Sequence, residues 1–99
     1  MTRQVSKDCV SALLTGQNKT VSNTSVIDNK LYLFSNNIIK IEDGDVFVRL
    51  IVNSQTTRER INCLHNFGYN VSVVQRKGVP FLNGKAVNDL YEWHKINKV

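Results

Sequence analysis

The chain is short of several things, and each shortage removes a class of function. Its 99 residues contain one proline, Pro80, and two cysteines, Cys9 and Cys63. Neither cysteine belongs to a Cys-x-x-Cys pair or a Cys/His cluster, so neither a disulfide framework nor a zinc finger organises the fold. Two buried free thiols in a reducing cytoplasm are expected instead. The uninterrupted apolar runs, such as 31–34 and 50–52, fall far short of the roughly 20 residues that cross a bilayer. Asp8 and its polar neighbours interrupt the apolar stretch that a secretory signal would need within 1–14. No membrane partner is expected, and the protein is placed in the cytoplasm. There is also no Gly-rich loop followed by Lys-Ser/Thr to cradle a nucleotide phosphate, no internal repeat and no low-complexity linker. No cofactor is implied.

Acidic residues are scarce too, and unevenly so. Thirteen Lys and Arg face eight Asp and Glu, a net charge of +5. Residues 1–49 hold six basic and five acidic side chains, whereas residues 50–99 hold seven and three. Any electropositive surface therefore belongs to the second half. A charge of this size keeps any small domain soluble, and it also suits a phosphate-bearing or acidic partner. The rest of the composition, 41% hydrophobic and 21% charged, is that of one ordinary globular domain covering 1–99.

Hydrophobic spacing and turn residues predict the elements. Val5, Cys9, Ala12 and Leu13, widened by Val10 and Leu14, recur at helical spacing, and Gly16 is placed for a left-handed cap, so a helix is expected over 5–15. The polar, β-branched stretch 19–28 suits one edge strand. Runs 31–35 and 38–42 flank Asn36-Asn37 as a hairpin, and Asp43-Gly44-Asp45 turns the chain into an alternating strand over 46–52. Thr56 and Glu59 read as a capping box opening a helix over 57–66, with Ile61, Leu64 and either Cys63 or His65 on its apolar face and Gly68 closing it. Runs 71–76 and 79–83 flank Lys77-Gly78 as another hairpin, with Pro80 marking an edge or irregular strand. After the Asn83-Gly84 turn, Ala86, Val87, Leu90, Trp93, His94 and Ile96 predict a terminal helix.

The order α, three or four β, α, ββ, α predicts an α+β fold. It consists of an antiparallel sheet of about five to six strands with two or three helices packed on it. Residues 1–49 supply a helix and a β-meander; 50–99 supply a strand end, the capped helix, the hairpin and the terminal helix. So small a core gains from self-association, which leaves a homodimer through an edge strand open.

Three segments carry a resemblance: Thr56-Thr57-Arg58-Glu59-Arg60-Ile61-Asn62-Cys63-Leu64, then Val71 through Gly78 with its Lys77-Gly78 turn, then Phe81-Leu82-Asn83-Gly84-Lys85. Together they resemble a family of functionally uncharacterised small domains encoded largely by tailed bacteriophages. The likeness covers about half the chain. It departs where Cys63 takes a position the family often gives to Gly, and where the only tryptophan, Trp93, lies well downstream. The resemblance implies a phage origin and a non-catalytic accessory role, and it supplies no active site.

Candidates for chemistry are thin. His65 and Cys63 are two apart, which on a helix points them in different directions, so they form neither a metal site nor a nucleophile and base. Glu42, Asp43 and Asp45 read as a solvated turn, because a calcium loop needs more ligands at regular spacing. The constellation with chemical content is basic: Arg58 and Arg60 on the second helix, Arg76 and Lys77 at a hairpin tip, and Lys85 after a turn, all expected to face solvent. Arg58 opposes the helix dipole, which hints at an external partner. Phosphate or an acidic protein surface is the complement of these residues, and Tyr69 and Trp93 are the candidates for base stacking. The expected role is a non-catalytic phage accessory protein of the host-takeover or anti-defence type, binding a host protein that handles nucleic acid. The alternative is direct binding of DNA or RNA through the second-half basic residues.

Overall fold

In the computed structural model, which describes residues 4–51 and 54–99, the first helix α1 spans Gln4–Leu14 and buries Ser6, Cys9, Val10, Ala12 and Leu13. Its C-terminus is closed as Gly16 predicted. Gly16 sits at φ +75°, its N–H reaches the Leu13 carbonyl, and the Gln17 N–H reaches the Ala12 carbonyl at 2.8 Å.

Five strands follow: β1 (Lys19–Val21), β2 (Thr24–Ile27), β3 (Lys30–Leu33), β4 (Asn36–Glu42) and β5 (Asp45–Val48). Next come helix α2 (Gln55–Asn62), a 3-10 segment (Cys63–Phe67) and strands β6 (Val73–Arg76), β7 (Val79–Leu82), β8 (Lys85–Ala86) and β9 (His94–Ile96). The α+β class holds, but the strands divide between two antiparallel sheets, a six-stranded one ordered β1-β2-β3-β4-β5-β9 and a three-stranded one ordered β6-β7-β8. Both sheets and both helices contribute to one buried cluster, in which Cys9, Leu31, Ile39 and Val48 meet Ile61, Leu64, Val73 and Leu82.

The hairpins are held by two-residue turns whose local twist matches that of paired strands. Asp28-Asn29, Phe34-Ser35, Asp43-Gly44, Lys77-Gly78 and Asn83-Gly84 each have both residues at positive φ, the condition for the type I′ turn. The predicted edge strand over 19–28 is in fact a hairpin, bent at Ser22 (φ 55°). The turn assigned to Asn36-Asn37 falls two residues earlier. Asn36 begins β4 instead, and its amide donates to the Leu33 and Phe34 carbonyls, tying down the Phe34-Ser35 turn. The shifted register brings a bulge after Leu31, leaving Ile38 as the extra residue of β4, and both Ile38 and Ile39 are fully buried.

Helix α2 also starts earlier than the capping box implied. Ser54, not Thr56, is the N-cap, and its hydroxyl accepts from the Thr57 N–H at 3.2 Å. Gly68, at φ 92°, ends the 3-10 segment as expected. The apolar face is Ile61, Cys63 and Leu64, and His65 is exposed. Val52, the expected end of the alternating strand, lies outside the described residues.

The predicted terminal helix is absent. Val87 donates to the Pro80 carbonyl at 2.9 Å, and Asp89 closes a turn by accepting from the Tyr91 N–H at 3.0 Å. The chain then runs extended as β9 along β5, pairing Val46 with Ile96, Phe47 with Lys95 and Val48 with His94. Spacing that suits a helix is overridden because the free edge of β5 offers a ladder that no local pattern announces. His94, expected on the terminal helix, is a strand residue. Pro80 is tolerated in the middle strand because Gln75↔Pro80 is one register step from the turn-closing pair Arg76↔Val79, so no N–H is needed toward β6, while toward β8, which ends at Ala86, its carbonyl accepts from Val87.

Arg60 is the largest departure from expectation. It is only 3% exposed. Its Nη1 donates to Ser6 Oγ at 2.6 Å and its Nε to Thr24 Oγ1 at 3.1 Å, while Glu59 Oε2 lies 3.9 Å away. The Thr24 hydroxyl in turn donates to Asn23 Oδ1 at 2.9 Å. Arg60 thus joins α2 to α1 and β2 and is no part of a solvent-facing basic surface. Replacing Arg60 by Ala strands the buried Ser6 hydroxyl, removes one of the two partners of the Thr24 hydroxyl and opens a cavity, with an expected cost of about 2–4 kcal/mol measured from the denaturant midpoint. An unchanged midpoint would show that the network contributes nothing.

Cys9 and Cys63 are free and fully buried, and burial pushes both thiols above their ordinary pKa. Both are therefore expected to resist Ellman's reagent in the native protein and to react fully once it is denatured. Rapid native reaction would contradict this packing.

Candidate binding surface

Helix α2 lies beside the open edge of the three-stranded sheet, and Asn62 defines how they join. Its amide donates to the Val73 carbonyl at 2.9 Å and its carbonyl accepts from the Val73 N–H at 2.6 Å. One side chain thus pairs with β6 as a neighbouring strand would. Above this contact α2 and β6 part, leaving a cleft of about 660 Å³ lined by Gln55, Arg58, Glu59 and Asn62 on one wall and by the strand from Val73 to Gln75, with Lys77 and Gly78, on the other. The far end of the sheet is anchored by Asn83, whose side chain accepts from the Ser72 N–H at 2.8 Å and donates to the Asn70 carbonyl at 3.2 Å.

Of the predicted basic residues, Arg58 and Lys77 come together in this cleft. Arg76 points to the outer face of the small sheet, its guanidinium 5.8 Å from the Phe81 ring. Lys85 pairs with Leu82 and so belongs to the opposite face from Arg76. Arg60 is buried, as described above. The charge of the cleft is nevertheless net positive: Arg58 and Lys77 stand against the single carboxylate of Glu59, and no acidic residue occurs between Glu59 and Asp89. Glu59 itself is half-buried, receives the Gln55 amide at 3.5 Å and faces Arg60. The cleft therefore carries two cations and one carboxylate, with amide groups along its walls.

The two aromatic candidates are occupied differently. Tyr69 packs partly against the core, bridges to Lys98 and carries the Lys98 ammonium 5.6 Å from its ring. Trp93 lies half-buried over the outer face of the six-stranded sheet, with Lys40 Nζ 4.5 Å and Arg49 Cζ 4.3 Å from its ring. Arg49 is held there by its Nε, which donates to the Asn37 carbonyl at 2.7 Å, and Lys40 also faces Phe47 at 5.5 Å. These contacts engage Trp93 within the chain.

The sequence reading missed Gln55, Asn62 and Gln75 on the cleft walls, and Lys40 and Arg49 around Trp93. Amides carry no charge signal, and the cations lie far from Trp93 along the chain. Among the described residues, no group of three or more His, Cys, Asp or Glu side chains gathers to hold a metal ion, and no helix is long and apolar enough to cross a membrane. Asn62→Ala, which leaves the Val73 N–H and carbonyl without their partner, is expected to cost about 1–3 kcal/mol and to speed hydrogen exchange at the Val73 amide. Unchanged exchange there would remove Asn62 from its role.

No curated protein and no solved structure matches the chain. The model of one family, the Kyanoviridae Gp96 protein, matches residues 2–98. That match spans nearly the whole domain, including both sheets, α2 and the cleft between α2 and β6, and it agrees with the phage origin implied by the segments around Arg58 and Lys77: the chain is a member of the Kyanoviridae Gp96 protein family of phage proteins.

Proposed function

We propose that this protein is a non-catalytic phage accessory protein of the host-takeover or anti-defence type, acting in the host cytoplasm by binding a host protein that handles nucleic acid. The observation that carries this reading is the cleft between α2 and β6, where Arg58 and Lys77 stand over a strand edge with no acidic side chain on the sheet behind them. Arg58 and Lys77 over an amide-lined cleft suit an acidic protein surface, which on a nucleic-acid-handling protein lies away from the basic surface that holds the phosphate backbone.

Direct binding of DNA or RNA through the second-half basic residues is the second reading, favoured by Arg76 and Lys77 at the tip of a hairpin without carboxylates, with Lys85 on the opposite face of the same sheet. It differs from the first in salt response and in the partner recovered. A pull-down from host lysate, with and without nuclease, separates them. Recovery of one host protein that survives nuclease treatment is expected, and loss of every partner on nuclease treatment would favour direct binding. In the latter case affinity for bare nucleic acid should fall steeply with salt and on changing Arg58, Arg76 and Lys77 to Ala.

A further inference from the structure

Among the described residues, the chain uses the outer edge of the small sheet at Val73 alone. In the β6–β7 hairpin the two-residue Lys77-Gly78 turn makes Arg76↔Val79 the pair that exchanges hydrogen bonds. The pairs then alternate, so Val74↔Phe81 bonds again, while Gln75↔Pro80 and Val73↔Leu82 do not. Two facts agree with this phase. Pro80 has no N–H to give Gln75, and the N–H and carbonyl of Val73 both turn away from β7 to meet Asn62. Gln75, two residues on, turns its N–H and carbonyl to the same side, into the cleft. Among the described residues nothing in the chain takes up those two groups.

From this geometry we infer that the cleft accepts an extended, acidic segment of a partner protein, which adds as a strand to the β6 edge, pairing its backbone with Gln75 and its carboxylates with Arg58 and Lys77. The inference rests on the protein-binding role proposed above and gives it a mode and a chemistry. Backbone pairing supplies affinity without a deep pocket, and the side chains at alternate positions of the added strand supply specificity. Asn62 limits the added strand at one end, because it already fills the place opposite Val73. At the other end lie Lys77 and the turn. A second copy of this chain is the other natural occupant of an open edge, but pairing β6 with β6 would bring two Arg58 and two Lys77 side chains together across one axis. Like charges gathered about one axis oppose the dimer and favour an acidic strand.

The test uses the full chain and two synthetic peptides of alternating valine and glutamate, or valine and lysine, titrated while backbone amide shifts and hydrogen exchange are followed by NMR. The glutamate peptide is expected to shift and protect the Gln75 amide, and the lysine peptide to leave it unchanged. Gln75→Pro removes the edge donor, and Arg58→Glu with Lys77→Glu reverses the rim. Each is expected to weaken the glutamate peptide about tenfold or more, with a Tm near that of the parent showing that the fold survives. Shifts elsewhere on the surface, equal response to both peptides, or no response at millimolar peptide would overturn the inference. So would a dimer in solution that Gln75→Pro dissociates, since the edge would then belong to a second copy. If a host protein is recovered in the nuclease-resistant pull-down and Gln75→Pro retains it fully, the protein-binding role stands and strand addition falls.

Discussion

A single buried guanidinium ties the two halves of the chain together. Arg60 sits on α2, yet its hydrogen-bond partners are Ser6 of α1 and Thr24 of β2, residues 54 and 36 positions away. A charged fork at this depth is tolerated only because each partner is an oxygen already in place and Glu59 lies close by to balance the charge. The consequence is positional. With α2 tied to α1 and β2 through Arg60, one wall of the cleft is held in place, and Asn62 joins that wall to β6.

Asn62 carries the second part of this arrangement. A helix beside a sheet edge must deal with the unpaired N–H and carbonyl groups that the edge presents. Here one amide answers one residue of the strand, Val73, and leaves the next outward-facing residue, Gln75, to the cleft. The basic residues that line the cleft, Arg58 from the helix and Lys77 from the hairpin tip, come from elements far apart in sequence. They meet because both elements converge on β6.

The six-stranded sheet and the Trp93 cluster illustrate how non-local pairing redirects local signals. Ala86, Leu90, Trp93 and Ile96 have helical spacing, but the edge of β5 recruits His94–Ile96 as a strand, which buries Ile96 and lays Trp93 against Lys40 and Arg49. The turn at Phe34-Ser35 is a second case. Asn36-Asn37 has the turn chemistry, yet burying both Ile38 and Ile39 requires a bulge, and the turn moves back to residues whose side chains do not advertise it.

By itself, the sequence determined the features that depend on neighbours along the chain. These were the first helix with its Gly16 cap, the Asp43-Gly44, Lys77-Gly78 and Asn83-Gly84 turns, the existence of a second helix though neither its cap nor its passage into a 3-10 segment, the α+β class, and the gathering of positive charge after residue 49. Glycine and Asn or Asp at positive φ and apolar residues at a regular period act over a few residues, so they can be read there. Only the tertiary structure decided that the strands form two sheets, that the last segment is a strand, that Arg60 faces inward, and that of the predicted basic residues Arg58 and Lys77 share a cleft. Those outcomes depend on which edges and hydroxyls the folded chain leaves within reach, and the physical reason they escape the sequence is that hydrogen-bond partners 36 to 54 residues apart leave no periodic trace.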